Sequence, residues 1–170
     1  MTSPTARRDV LVPAILTMIA TATIAAAWGF ELIGGFVPCA LCLEERIPYY
    51  IGIPVALAAL VAAYLGGPTW LKRGLLIAVA VVFAYGAALG IYHAGAEWSF
   101  WPGPADCAPG SAHPTISAAD LLSALEGMRI VSCSEASWRF PAGWGLSFAG
   151  WNAAASLFLV AVAAWGAKRL

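Results

Sequence analysis

Residues 74–96 read GLLIAVAVVFAYGAALGIYHAGA and contain no aspartate, glutamate, lysine or arginine. A helix needs roughly 20 apolar residues to cross a bilayer core of about 30 Å, and this stretch meets that length. Three other stretches, residues 10–30, 47–71 and 140–167, also lack these four residue types. Because a helix satisfies its own backbone hydrogen bonds in lipid, the sequence predicts four transmembrane helices. Their predicted positions are about 12–31, 45–65, 72–93 and 145–166.

The composition agrees with a membrane protein. Hydrophobic residues make up 61% of the chain and charged residues only 11%, whereas a soluble domain carries about 25% charged residues. The net charge is zero and there is no basic tract, so nucleic-acid binding has no support. We therefore expect an all-α integral membrane protein, a four-transmembrane-helix bundle. Residues 1–170 would form one membrane domain, with loops at about 32–45 and 94–144.

Basic residues predict the orientation of the bundle. They cluster in the N-terminus, the middle connection and the C-terminus, as Arg7, Arg8, Lys72, Arg73, Lys168 and Arg169. Because such residues concentrate on the cytoplasmic side, both termini would be cytoplasmic and both loops would lie outside, which in bacteria is the periplasmic side of the inner membrane. The loops would then carry all the cysteines in a compartment where disulfides persist. These cysteines are Cys39, Cys42, Cys107 and Cys133.

The first apolar segment has a second interpretation. Arg7 and Arg8 precede it, and the small residues 25–27 resemble the cleavage site of a secretory signal peptide. Its charge-free run is longer than the apolar region of a signal peptide, which favours a retained transmembrane helix.

Two other segments carry structural predictions. Gly86 and Gly90 are four residues apart in the third helix, and small residues at this spacing let helices approach closely in lipid. We expect a packing seam there, with a ligand cleft as the alternative. In the second loop, the leucines of residues 117–128 share one face at helical spacing. This pattern predicts a short amphipathic helix on the membrane surface, or else a helix packed on the bundle.

The reactive chemistry is expected in residues 38–46, PCALCLEER, between the first two helices. If Cys42 opens the second helix, Arg46 lies one turn later on the same face. The positive end of the helix and the guanidinium would both favour a thiolate at Cys42. Anchoring of the helix at the headgroups is the alternative role of Arg46.

The four cysteines allow three pairings. The close pair Cys39–Cys42 is the natural first bridge, which leaves Cys107–Cys133 as the second. Both bridges could be inert, but a CxxC disulfide closes a very small loop and adds little stability, which favours redox activity. Structural zinc sites usually combine two close cysteine pairs. Because the second pair is widely spaced, no metal site is predicted.

These motifs resemble the disulfide bond formation protein B (DsbB) family. The segment CALCLEER, residues 39–46, is similar to the first redox centre of that family. Cys107 and the segment CSEASWRF, residues 133–140, resemble its second centre. Residues 92–107 are also similar to those of some proteobacterial members. The resemblance runs through all four predicted helices and covers nearly the whole chain.

The resemblance implies an enzyme that reoxidises a soluble, periplasmic, DsbA-like thioredoxin-fold oxidase and passes the electrons to a membrane quinone, ubiquinone or menaquinone. Cys107 would form the mixed disulfide with the partner, and Cys133 would be its bridging mate. Electrons would then pass to Cys39, with Cys42 facing the quinone. Arg46 would stabilise that thiolate and the quinone oxygen.

His93 is the remaining candidate for contact with the quinone. It lies at the outer end of the third predicted helix, where it could donate a hydrogen bond or a proton to a quinone. The alternative is an ordinary histidine at the membrane interface.

Two other functions remain as alternatives. A quinone reductase of the vitamin K epoxide reductase type also combines a helical bundle with a CxxC motif. That family carries the motif near the end of a later helix, whereas here it follows the first. A non-catalytic membrane scaffold with structural disulfides is the second alternative, and resistance of its bridges to mild reductant would distinguish it.

Overall fold

A computed structural model describes residues 4–103, 129–131, 133–142 and 144–170. Its helices are α1 (Pro4–Leu32), α2 (Ala40–Glu44), α3 (Ile47–Tyr64), α4 (Thr69–Glu97) and α5 (Phe148–Arg169). Its strands are β1 (Phe36–Val37), β2 (Arg129–Ile130), β3 (Arg139–Phe140) and β4 (Leu146–Ser147). The predicted surface helix at 117–128 and Cys107 lie outside the described residues.

Four stretches of the described chain are helical, long and apolar enough to cross a membrane: Arg7–Leu32, Ala40–Tyr64, Thr69–Glu97 and Phe148–Arg169. The predicted four-helix membrane fold is therefore confirmed. The second stretch begins earlier than expected, because α2 precedes α3, and the third continues to Glu97. Glu97 can remain helical because its carboxyl group is buried and accepts a hydrogen bond from Ser147, which keeps this acid away from lipid.

The long helices form a closed ring in which each packs against two others. The order around the ring is α1, α3, α4 and α5, and α5 returns to α1. Small side chains between larger ones let the helices approach, and the buried aromatic ring of Phe83 fills the centre against Tyr49. The core consists of Val12, Leu16, Ala20, Tyr49, Ala56, Ala59, Leu76, Val79, Phe83, Leu159, Ala163 and Ala167.

Large apolar side chains also point outward from the bundle. Met18, Val61, Val81 and Leu157 are each at least 50% exposed, and they come from the four different long helices. A soluble protein rarely leaves so much apolar surface uncovered. A surface of this kind is expected to face the lipid of a membrane.

The predicted glycine seam lies between α4 and its neighbours. A Cβ atom on Gly90 would lie 2.9 Å from the backbone nitrogen of Ala153 in α5, and one on Gly86 would lie 3.1 Å from Pro48 in α3. A side chain at Gly90 would collide with the backbone of α5 and one at Gly86 would crowd Pro48, so the packing interpretation of the glycine pair is confirmed.

Polar contacts join three chain segments at one end of the bundle. Lys72, near the start of α4, forms an ion pair with Asp9 near the start of α1. The guanidinium of Arg73 donates a hydrogen bond of 2.8 Å to the backbone carbonyl of Ala167 near the end of α5. The basic clusters of the sequence therefore meet at one end, and the cysteines lie at the other, which we call the cysteine end.

Short strands connect the two loops at the cysteine end. β1 and β2 pair in parallel, with Val37 opposite Ile130, and the backbone N–H of Val131 donates to the carbonyl of Val37 at 3.1 Å. Cys39 follows this pairing by two residues on one strand, and Cys133 follows it by three on the other. The pairing therefore brings the CxxC motif next to the second loop. β3 and β4 pair antiparallel before α5.

Candidate active site

The CxxC motif lies at the start of the short helix α2. Cys39 is the N-cap of this helix, and its sulfur accepts a hydrogen bond of 3.3 Å from the backbone N–H of Cys42. The helix therefore begins before Cys42, and Cys39, not Cys42, occupies its positive end. Both cysteines are free thiols with sulfurs 2.9 Å apart. The structure thus describes the reduced pair, and the predicted Cys39–Cys42 disulfide would be its oxidised form.

Cys39 is the acidic thiol of the pair. Its hydrogen bond with the Cys42 side chain lowers the pKa of Cys39 from 9.0 to about 5. Burial opposes this shift, whereas the hydrogen bond with His93 and that with the Cys42 backbone lower the pKa further. At neutral pH Cys39 is therefore a thiolate, the reactive form in disulfide exchange.

Cys133 lies against Cys39. It is disulfide-bonded and 1% exposed. The sulfurs of Cys39 and Cys133 and a ring nitrogen of His93 all lie within 4.8 Å of one another. A thiolate and a disulfide sulfur are thus neighbours, as exchange requires. The predicted partner of Cys133, Cys107, lies outside the described residues, so that pairing stays a prediction.

A chain of hydrogen-bonded side chains leads from Cys39 into the bundle. His93 is buried, with Nε2 lying 3.9 Å from the Cys39 sulfur and Nδ1 lying 2.8 Å from Oε1 of Glu45. The other oxygen of Glu45 accepts a hydrogen bond of 3.0 Å from Nδ2 of Asn152. The hydroxyl of Tyr49 donates to Oδ1 of Asn152 at 2.7 Å and lies 3.3 Å from Oγ of Ser156.

A largely apolar cavity of about 520 Å³ opens on the other side of the motif. Cys42 and Arg46 both line it, together with Glu31 and Glu45. Arg46 Nη1 lies 2.5 Å from Oε2 of Glu31, so the guanidinium is paired with a carboxyl group at the wall of an apolar space. The other lining residues are Ile19, Ala22, Thr23, Ile24, Ala26, Ala27, Phe30, Phe36, Pro38, Tyr49, Val131, Trp138, Phe140, Phe148, Trp151, Asn152 and Ala155.

A cluster of aromatic rings lines part of this cavity. Phe30 of α1 packs against Phe148 of α5 with ring centroids 4.8 Å apart, and Trp138 stacks on Phe148 at the same distance. Phe36 contacts both phenylalanine rings. These four residues come from α1, β1, the segment before β3, and α5, and together they form an aromatic wall beside the space that Cys42 lines.

Comparison with protein families agrees with this site. The model of the family described as disulfide bond formation protein DsbB matches residues 9–166, nearly the whole chain. The chain belongs to the DsbB family. It is therefore a helical membrane oxidoreductase of disulfide bond formation. Searches of curated proteins and of solved structures returned no significant match.

The structure of this DsbB-family protein brings together most of the residues singled out in the sequence. Cys39, Cys42 and Cys133 form one cluster, and Arg46 lies in the wall of the cavity with Cys42. His93 was a candidate for contact with the quinone. In the structure its ring contacts Cys39, and it is not among the described residues that line the cavity.

Sequence reasoning missed the polar partners of the DsbB-family site. Glu45 directly precedes Arg46 in the sequence, yet it contacts His93, and Glu31 pairs with Arg46. Asn152 had no predicted role, although a signal was present. It is the one asparagine of the sequence and lies in a charge-free transmembrane segment, where a polar side chain indicates a functional site.

Proposed function

We propose that the chain is a protein-dithiol:quinone oxidoreductase that keeps a soluble DsbA-like oxidase in its disulfide form. One observation carries the proposal. The CxxC motif lies between a disulfide-bonded cysteine and an apolar cavity, with Cys39 beside Cys133 and Cys42 in the cavity wall. This arrangement lets one pair of thiols exchange with a disulfide on one side and reduce a membrane-soluble substrate on the other.

On the thiol side, the soluble partner would reduce a Cys107–Cys133 disulfide through a mixed disulfide with Cys107. The released Cys133 thiolate would attack Cys39 in an oxidised CxxC pair and expel Cys42. Cys107 would then attack Cys133 and expel Cys39, which re-forms the Cys107–Cys133 bond and leaves Cys39 and Cys42 reduced. Two electrons and two protons move in this step. The described state, with Cys133 bonded and the CxxC pair reduced, is the product of that exchange.

The low pKa of Cys39 favours this direction of transfer. A thiol that ionises readily is a good leaving group in disulfide exchange. Attack by Cys133 on Cys39 expels Cys42 and gives a Cys39–Cys133 mixed disulfide. Cys39 is then the group expelled when Cys107 attacks Cys133 and re-forms the Cys107–Cys133 bond. The thiolate at Cys39 is also stabilised in the reduced pair, which makes the oxidised pair a stronger oxidant.

On the membrane side, the quinone is the second substrate, and the cavity suits its chemistry. Small-molecule sites typically measure about 300–1,000 Å³ and combine apolar walls with a few polar groups, and this cavity has both properties. Arg46 could donate a hydrogen bond to a quinone oxygen. The facing helices α1 and α5 line the space, so an isoprenoid tail could leave between them into lipid.

The sidedness follows from the charges. The end that carries Lys72, Arg73 and the chain termini is the basic one, and we assign it to the cytoplasm. The cysteine end then faces the periplasm, where a soluble oxidase would reach it. The protein would thus belong to the inner membrane.

Quinone reduction by the purified protein tests the proposal. A reduced thioredoxin-fold dithiol oxidase serves as the donor, and the absorbance of ubiquinone-1 or menadione reports the reaction. We expect turnover by the wild type and by Glu44→Gln, a control at an exposed position in α2. Cys42→Ser and Cys107→Ser should each abolish turnover. An inactive wild type with both quinones, despite intact cysteines, would refute the proposed function.

A further inference from the structure

The reduction of a quinone requires two protons as well as two electrons. Oxidation of the CxxC dithiol releases two protons, one from each cysteine, while a sulfur–sulfur bond forms and the quinone becomes the quinol. Because Cys39 is already ionised at neutral pH, its proton leaves the sulfur before that bond forms. Cys42 lines the cavity and can deliver its proton there directly. Cys39 is not among the described residues that line the cavity. Its proton therefore needs a route around the motif.

The hydrogen-bonded chain at His93 supplies such a route. His93 contacts the Cys39 sulfur through Nε2 and the Glu45 carboxyl group through Nδ1. Glu45 is 7% exposed in the bundle, yet it is one of the residues that line the cavity. It is therefore the group that touches both His93 and the space where the quinone would bind.

We propose that His93 and Glu45 carry the proton of Cys39 to the quinone in the cavity, while Cys42 delivers the electrons. The inference rests on the proposed function and deepens it. Imidazole is suited to the first step because one ring nitrogen can accept a proton while the other releases one. The carboxyl group then passes the proton to a quinone oxygen. The proton and electron paths separate at the CxxC motif and meet again at the substrate.

The surrounding residues fix the geometry of this relay. Asn152 donates to the second oxygen of Glu45, and Tyr49 in turn donates to Asn152. These two are positioning residues, because they orient the carboxyl group without transferring the proton. Glu97, one turn after His93 in α4, is near enough to act electrostatically on His93 and Glu45. It is held by Ser147 and is not among the described cavity-lining residues, so it does not offer a second exit.

The experiment compares Glu45→Gln with Glu44→Gln, the same change at the neighbouring exposed position. Each protein is fully reduced, freed of reductant and mixed with ubiquinone-1, so that one turnover is followed without any soluble partner. Quenching of tryptophan fluorescence measures quinone binding separately, since Trp138 and Trp151 line the cavity. We expect Glu45→Gln to bind quinone normally and to reduce it about 10²–10⁴-fold more slowly.

Conservative and quinone-free measurements separate a relay from a structural role. Glu45→Asp retains a carboxyl group and should recover part of the rate. The wild type should show a solvent deuterium isotope effect on quinone reduction. In protein without quinone, Glu45→Gln should move the pH profile of Cys39 alkylation upward, because His93 loses the carboxylate that supports its positive charge beside the thiolate.

Each outcome decides the matter. Equal rates of quinone reduction for Glu45→Gln and Glu44→Gln overturn the relay and leave the proposed function intact. The relay is also overturned if weaker quinone binding by Glu45→Gln accounts for all of its loss of rate. A wild type that reduces no quinone removes the proposed function and the relay together. If Glu45→Gln does not fold, His93→Gln replaces it, and the same loss of rate and the same upward shift are expected.

Discussion

The ionisation of Cys39 depends most on the side chain of Cys42, and a pair of substitutions isolates that dependence. Cys42→Ser keeps a hydrogen-bond donor opposite the Cys39 sulfur, whereas Cys42→Ala removes it. In both variants the backbone N–H of residue 42 and the contact with His93 remain. The difference between the two proteins therefore reports the side-chain hydrogen bond alone.

The size of the effect follows from the pKa of Cys39. The value falls from 9.0 to about 5, and the hydrogen bond with Cys42 is the largest cause. At pH 7 a thiol with a pKa of about 5 is about 99% ionised, while one with the ordinary value is about 1% ionised. The hydrogen bonds of Cys39 with His93 and with the backbone of residue 42 also lower its pKa. The pKa of Cys39 in the alanine variant should therefore lie between about 5 and 9.0. We expect its pKa to exceed that of the serine variant by at least about one unit, or tenfold in ionisation.

Alkylation with iodoacetamide measures this difference. Cys133 is disulfide-bonded, and if Cys107 is its partner, Cys39 is the one thiol left in either variant. The rate is recorded from pH 4 to pH 10, and its midpoint gives the pKa. The serine variant should react at its plateau rate at neutral pH, and the alanine variant should need a higher pH. Identical midpoints, or a midpoint near 9 in both, would refute the assignment of Cys39 as the acidic thiol.

Two further substitutions test the bundle and the cavity. Gly90→Ala forces a methyl group against the backbone at Ala153, so it should cost about 1–3 kcal/mol in thermal unfolding. Gly74→Ala is the control, because nothing lies within 4 Å of the added methyl group, and it should be neutral or stabilising. Equal Tm values for Gly90→Ala and Gly74→Ala would contradict the packing seam. Arg46→Gln should weaken quinone binding, measured by fluorescence, by about tenfold through loss of a charged donor. Arg46→Lys should retain part of the affinity, and unchanged binding in both would exclude Arg46 from the quinone site.

The sequence was sufficient for the membrane architecture because the signal there is local. Charged residues are excluded from lipid, so the charge-free stretches mark the helices whatever their partners are. The glycine pair Gly86 and Gly90 likewise predicted the close packing of α4. The boundaries were less certain, since a buried acid such as Glu97 can extend a transmembrane helix when another residue satisfies it.

The details of the site were less predictable because they depend on helix rotation. The motif indicated a thiolate, but placed it at Cys42, since the start of α2 at Ala40 was not visible in the apolar pattern. Glu45 and His93 are in contact although they lie 48 positions apart in the chain. Neither spacing nor hydropathy specifies which acid pairs with which base over such a separation, so the pairing of Glu45 with His93 and of Glu31 with Arg46 was not predicted.

The most direct test of the account is whether Cys39 and Cys133 exchange with each other. The double variant Cys42→Ser/Cys107→Ser leaves these two as the sole cysteines, and their sulfurs lie within 4.8 Å in the structure, where the CxxC pair is reduced. After mild oxidation, mass spectrometry of the digested protein should find a Cys39–Cys133 disulfide in most molecules. The matched variant Cys39→Ser/Cys107→Ser, which leaves Cys42 and Cys133, should form little. Two free thiols in the first variant, or equal bridging in both, would contradict the transfer of electrons from Cys133 to Cys39.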